Sequence, residues 1–199
     1  FLRADSWVGG ARRGSSGTCA RTGAVVTIVP KNAAASEGMD SGHYRALMRH
    51  QAGAVTVIAV GDGAARAGLT ATAVASLSDN PPTILACIQR KAGAHDRIAA
   101  LKSFSVNVLA SDQQEVAERF AGRHGSKGEA RFEGFEWSTL KSGAPILVHA
   151  LASLDCELID RHEFTTHSIF IGRVLDGQFR AEAEPLLYFR GDYWDLGGR

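Results

Sequence analysis

The chain has 199 residues, 45% of them hydrophobic and 22% charged, and a formal net charge of +1. That size and balance suit one soluble globular domain with its own core. The sequence has neither a basic stripe interleaved with aromatics nor an apolar run long enough to span a bilayer, which argues against nucleic acid and membrane as partners.

In chain order, residues 1–38 come first. They are rich in Gly, Ser, Ala and Arg and lack helical periodicity, and only GAVVTIVP reads as a short strand. A disordered tail, a targeting segment and upstream sequence foreign to the native protein all fit, tail or upstream sequence better than targeting. The expected folded domain is 39–199, with Met39 as a natural start. HYRALMRHQAG then places Tyr44, Leu47, Met48 and Gln51 at helical spacing and stops at Gly53. AVTVIAV, bounded by GDG, is expected to be a strand entering a hairpin.

The next stretch, GLTATAVASLSDNPPTILAC (68–87), uses small and hydroxylated residues where Val or Ile would serve a core better. Read as one extended strand, it puts Thr70, Thr72, Val74, Ser76 and Ser78 on one face and Ala71, Ala73, Ala75 and Leu77 on the other. A site that admits a flat polar ring wants such a surface, and so does an ordinary edge strand in a tightly packed barrel. The strand should break at Asp79-Asn80-Pro81-Pro82, because proline cannot donate to a ladder. TILACIQ, nearly all apolar, is expected to be a strand buried on both sides.

KAGAHDRIAALKS reads as a short helix and FSVNVLA as a strand. DQQEVAERFAG reads as a helix capped by Ser111 or Asp112. LVHALASLDCELIDRHE and THSIFIGRVLDGQF read as two long strands, and PLLYFRGDYWDL as a last strand with an aromatic end. Strands dominate, so the expected class is mainly β, a closed or nearly closed barrel with a few short helices.

Two motifs mislead. GDGAARAG follows a strand as a dinucleotide fingerprint does, but Arg66 stands at the third glycine and a strand follows instead of a helix. In HEFTTH, His162 and His167 are five apart rather than four, so they share a face of neither a helix nor a strand, and no metal site follows. Cys19, Cys87 and Cys156 are widely spaced and odd in number. They fit neither a disulfide framework nor a zinc ribbon and point to a reducing cytoplasm.

The succession GLTATAVASLSDNPPTILACIQR, AHD, FSVNVLASDQQEVAERFAG, ALASLDCEL, THSIFIGRV and PLLYFRGDYWDL resembles the short-chain flavin reductase family. Within it, the order is most similar to the reductase components of two-component aromatic monooxygenases. The resemblance covers about residues 43–196 and implies an FMN-binding split β-barrel that forms a homodimer, with flavin in a groove near the subunit interface. It also implies that NADH or NADPH passes hydride to FMN or FAD, and that reduced flavin leaves for a separate monooxygenase. A non-catalytic flavin-binding barrel is the rival reading. Oxidation of another substrate on bound flavin, as in the pyridoxamine-phosphate oxidase branch, is a third.

The resemblance assigns the site as well. Thr70, Ala71, Thr72, Ala73 and Val74 would run beside the isoalloxazine, with Ser76 further along, and Cys87, Ile88, Gln89 and Arg90 would complete the wall. Phosphate would meet Arg90, Lys91 and the helix start at Ala94, although Ala92 and Ala94 stand where relatives often carry Ser or Thr. His167 lacks the Gly-Asp pair that precedes it in the family and would sit near the nicotinamide, positioning it rather than acting as a base. Phe120 would contact flavin or pack its helix, packing being favoured for an aromatic at helical spacing. Tyr188, Arg190 and Tyr193 would approach the pyridine nucleotide across the dimer, Arg190 because a guanidinium suits a pyrophosphate.

Overall fold

The Asp40 carboxylate accepts hydrogen bonds from the Gly42 and His43 amides and so starts helix α1 (Ser41–Met48) in a computed structural model that describes residues 38–197. Of the N-terminal segment 1–38, all but Gly38 lies outside the described residues, its predicted short strand included. The helix ends before Gly53, because Gly53–Ala54 forms a short strand, β1. The β-branched run then gives β2 (Thr56–Val60), and a hairpin turned at Asp62-Gly63 returns as β3 (Ala67–Ala71).

The predicted single strand over the small-residue stretch is in fact two. It breaks at Thr72-Ala73, and β4 (Val74–Asp79) continues in a different partnership, turning at Asn80-Pro81 into β5 (Pro82–Gln89). Beyond these come α2 (Gly93–Leu101), β6 (Ser103–Val108) and α3 (Gln114–Phe120). A hairpin that the sequence reading missed follows, β7 (Trp137–Thr139) and β8 (Pro145–Leu147). The long antiparallel pair is β9 (Ala152–Glu163) and β10 (His167–Phe179). The aromatic terminal segment is not one strand but the hairpin β11 (Leu187–Phe189) and β12 (Asp192–Trp194), folded at Arg190-Gly191.

Seven strands form one antiparallel sheet in the order β3-β2-β6-β9-β10-β5-β4. Its two edges, β3 and β4, are consecutive in the chain and joined by two residues only. Three Cα steps reach at most about 11 Å, so the sheet must curl until its edges nearly touch. The result is a split barrel whose seam lies at Thr72-Ala73. No helix among the described residues is long and apolar enough to cross a membrane.

Strand β2 lies between two cores. Ile58 and Val60 face the barrel interior with Ile88, Phe104 and Phe170, which α2 plugs with Ala94 and Ile98. Val57 and Ala59 face the outer layer, where α3, β8 and the β11 approach supply Phe120, Leu147 and Leu186. Burial on both sides, expected for TILACIQ, therefore belongs to β2. In β5 the faces differ: Ile84, Ala86 and Ile88 are buried, but Leu85 and Cys87 remain partly exposed because no described element covers that side.

The expected cap at Ser111 or Asp112 also differs. A 3-10 turn (Ser111–Gln113) precedes α3, Gln113 Oε1 accepts from the Ala110 amide, and Asp112 pairs instead with Arg180. Cys156 is fully buried, and burial, aided by the Asp155 carboxylate, pushes its thiol up to about 12. Near pH 8 its thiolate fraction is about 10⁻⁴. Iodoacetamide at that pH is thus expected to label Cys87 in the folded protein and to leave Cys156 intact until denaturant is added, as peptide mass spectrometry will show.

A candidate flavin groove at the barrel seam

Two hydroxyls fix the end of β3. Thr56 Oγ1 donates to the Ala71 carbonyl at 2.7 Å, and Thr70 Oγ1 donates to the Ala117 carbonyl at 2.6 Å. From the other edge, the Cys87 amide donates to the Ala73 carbonyl at 2.9 Å. Thr72 and Ala73 belong to neither ladder, and among the described residues their amides have no backbone acceptor. Both residues are exposed. Unpaired main-chain donors flanked by small side chains are what the polar rim of a flat heterocycle needs, and they arise from the seam rather than from strand alternation. The expected Thr70 hydroxyl is spent on the Ala117 carbonyl.

A cleft of about 210 Å³ opens along this seam, floored by Thr70, Ala71 and Thr72 and walled by Arg123, Tyr188 and Tyr193. The two tyrosine rings meet edge to face at 5.4 Å, and the Arg123 guanidinium lies 5.3 Å over Tyr193. Burial, the largest cause, raises the Tyr193 phenol above its ordinary value, so it stays a neutral donor at neutral pH. Arg123 is a wall residue that sequence reasoning missed, since it falls in a Gly-rich loop with no motif of its own.

On the other side of the seam, β5 joins β4 to β10. Val74 lies across from Ala86, Gln89 lies across from His167, and the Arg90 amide donates to the Thr166 carbonyl at 3.0 Å. Thr70–Val74, Cys87–Lys91 and His167 are thereby brought to one end of the barrel. His167 is exposed, with Nδ1 2.9 Å from Thr166 Oγ1. The Arg90 guanidinium is already shared between Glu163 Oε2 at 3.7 Å and the Phe164 carbonyl at 3.4 Å. Lys91 is exposed and has no ion pair among the described residues. The α2 N-terminus has no side-chain cap, and the Gly93 and Ala94 amides have no backbone acceptor. A Cβ on Gly93 would meet nothing within 4 Å. That end is open to an anion, as helix N-termini with free amides are.

Four expected site residues, Phe120, Ile88, Ala94 and Ser76, are placed differently. Phe120 is a core residue: its ring packs at 4.9 Å on Phe132 and 5.6 Å on Trp137, and it is 1% exposed. Only glycine at 68 admits it, since a Cβ there would stand 2.5 Å from Phe120 Cε1. The side chains of Ile88 and Ala94 are wholly buried, so these two residues offer a ligand main chain alone. Ser76 lines a separate hollow with Ser78, Thr83 and Val174. Arg190 stands at the tip of the β11–β12 hairpin, beside the end of α1.

A split barrel with unpaired amides along its seam, an aromatic wall and an open helix N-terminus defines a class of proteins that hold a flat, phosphorylated heterocycle. Residues 48–197 match the flavin reductase like domain model, so the chain belongs to the flavin reductase-like family. It is 39% identical over 150 residues to the FMN reductase (NADH) RutF of Agrobacterium fabrum, covering 75% of this chain and 85% of that one. The structure of BorF, the flavin reductase component of a bacterial two-component tryptophan halogenase, superposes with a TM-score of 0.73 at 35% identity, over 80% of this chain and 100% of its own. The NADH:FAD oxidoreductase SgcE6 of Streptomyces globisporus gives 0.74 at 30% identity, over 82% and 99%.

Proposed function

We propose that this chain is an NADH-dependent flavin reductase that takes up free flavin, reduces it and releases it to a separate flavin-dependent monooxygenase. The pair of unpaired amides at Thr72 and Ala73, in a family whose relatives are named for reducing FMN or FAD with NADH, carries this reading. The two nucleotides supply the hydride chemistry between themselves, and the protein sets their geometry. Here Thr72 and Ala73 would hold the ring's polar rim, while Tyr188 and Tyr193 exclude water from one flank. Lys91 and the Gly93 and Ala94 amides would take the phosphate.

His167 acts as a positioning residue for the nicotinamide. Its exposed imidazole lies across from Gln89, with Nδ1 2.9 Å from Thr166 Oγ1. His167→Ala is expected to lower kcat about tenfold while flavin affinity changes less than about twofold, a split that marks loss of orientation rather than of binding. Steady-state kinetics with flavin fluorescence titration measure both.

Delivery to a partner oxygenase is supported by BorF, named as one component of a two-component system. A homodimer is supported by the uncovered apolar stripe on β5 and β10, where Leu85 lies across from Ile171 and Cys87 across from Ile169, all four partly exposed. A cytoplasmic location accords with the free thiols of Cys87 and Cys156. The deciding assay is NADH oxidation with and without added FMN. Turnover that saturates with free FMN supports the reading. Flavin that stays bound through gel filtration, with no NADH consumption, makes the protein a non-catalytic flavin carrier.

A further inference from the structure

We infer that Arg45, Arg49 and Arg190, with His50 beside them, form a notch that binds the diphosphate of a dinucleotide extending out of the seam groove. The inference rests on the proposed function for what occupies the groove, but the notch itself is read from side chains. The seam cleft continues past Thr72 and Tyr188 into a hollow of about 370 Å³ lined by Arg45, Arg49, Gly53 and Ala73. Arg49 also lines the next hollow, of about 540 Å³, with Ala46, His50 and Arg190. No acidic residue lines either hollow.

Charge satisfaction sets these arginines apart. Among the described residues, Arg66, Arg90, Arg119, Arg123, Arg161, Arg173 and Arg180 each face a carboxylate. Arg97 and Arg131 donate to main-chain carbonyls. The guanidinium groups of Arg45, Arg49 and Arg190 have no acceptor among the described residues, and all of them border these two adjoining hollows. Arg45 lies in the last turn of α1 and Arg49 at its C-cap, so two like charges stand four apart with no carboxylate partner among the described residues.

Backbone strain points to the same place. Arg190 has φ of 54° at a two-residue hairpin turn, a left-handed position that Gly, Asn or Asp occupies more readily. Its amide donates to the Arg49 carbonyl at 2.8 Å, which ties the turn to the end of α1 and holds the two guanidinium-bearing residues together. Strain of this kind at a ligand cleft is a pointer to function. A guanidinium matches phosphate oxygens with paired N–H donors. The phosphate of a mononucleotide is already provided for at α2, on the other side of the seam. A second cationic subsite suits the adenosine diphosphate half of NADH, since the diphosphate of FAD would include the phosphate already placed at α2.

The probe is ADP, titrated calorimetrically into the full chain and into Arg49→Gln/Arg190→Gln, with KM values for NADH, reduced nicotinamide mononucleotide, FMN and FAD. ADP affinity is expected to fall at least about tenfold in the double variant. A collapse of the preference for NADH over the mononucleotide identifies the diphosphate as that of NADH. Loss of the preference for FAD over FMN, with the preference for NADH kept, would overturn this assignment. Arg190→Gly should raise the thermal midpoint, by relieving the turn, while still weakening ADP, which a merely structural role would not produce. Unchanged ADP affinity together with unchanged preferences overturns the inference. Absence of flavin-dependent NADH oxidation in the unsubstituted protein would instead count against the proposed function, and ADP binding would still test the notch.

Discussion

Ala73→Leu is expected to cut kcat/KM for flavin at least about 100-fold, a loss of about 2.7 kcal/mol of transition-state stabilisation. The residue lies at the seam, exposed, in neither core cluster, and lining the groove beside Thr72. A Leu side chain there projects over the two unpaired amides and fills the space a heterocycle would occupy. Because Ala73 is exposed and outside both cores, the thermal midpoint should be nearly unchanged, so the loss reads as lost access and not lost structure. Flavin fluorescence quenching should weaken in parallel. Wild-type affinity and turnover in this variant would place the binding surface elsewhere.

Asn107→Ala is expected to cost about 3–5 kcal/mol, a large part of the total stability of a domain this size. Asn107 is fully buried on β6, and every polar atom of its amide is used. Nδ2 donates to the Val57 carbonyl at 3.2 Å and to Ser105 Oγ at 2.9 Å. Oδ1 accepts from the Leu147 amide and from Ser153 Oγ, both at 2.9 Å. Truncation strands the Leu147 amide and the Ser153 hydroxyl in a dry interior, where each unmade bond costs the desolvation of its group. Removing Ser153 Oγ alone leaves Asn107 with its other partners and should cost about 1 kcal/mol. Urea unfolding of the two variants compares them. Equal, small shifts would mean that the β7–β8 hairpin is not held through Asn107.

These two sites show what a sequence discloses and what it withholds. Most strands were legible because hydrophobic alternation and turn residues are local: Asp62-Gly63 and Asn80-Pro81 both mark real hairpins. The small residues over 68–76, which depart from what a core strand wants, do border the seam. The cause of the seam was not legible. Thr72-Ala73 is special because the sheet's two edges meet there, a fact of global strand order that no window contains. For the same reason the doubly buried strand was misassigned: TVIAV and TILACIQ are alike in composition, and only the outer layer of α3 and β8 distinguishes them. Phe120 could be settled only by finding Gly68 beneath it. Arg45 and Arg49 went unread in the sequence, because their lack of carboxylate partners among the described residues is a property of the folded surface.

The most direct test of the central claim is a ¹H–¹⁵N correlation spectrum of the protein titrated with FMN. If the ring rim bonds to the seam, the Thr72 and Ala73 amides should show the largest downfield proton shifts, saturating with the same affinity as flavin fluorescence. Shifts that leave Thr72 and Ala73 unmoved while others saturate would contradict it.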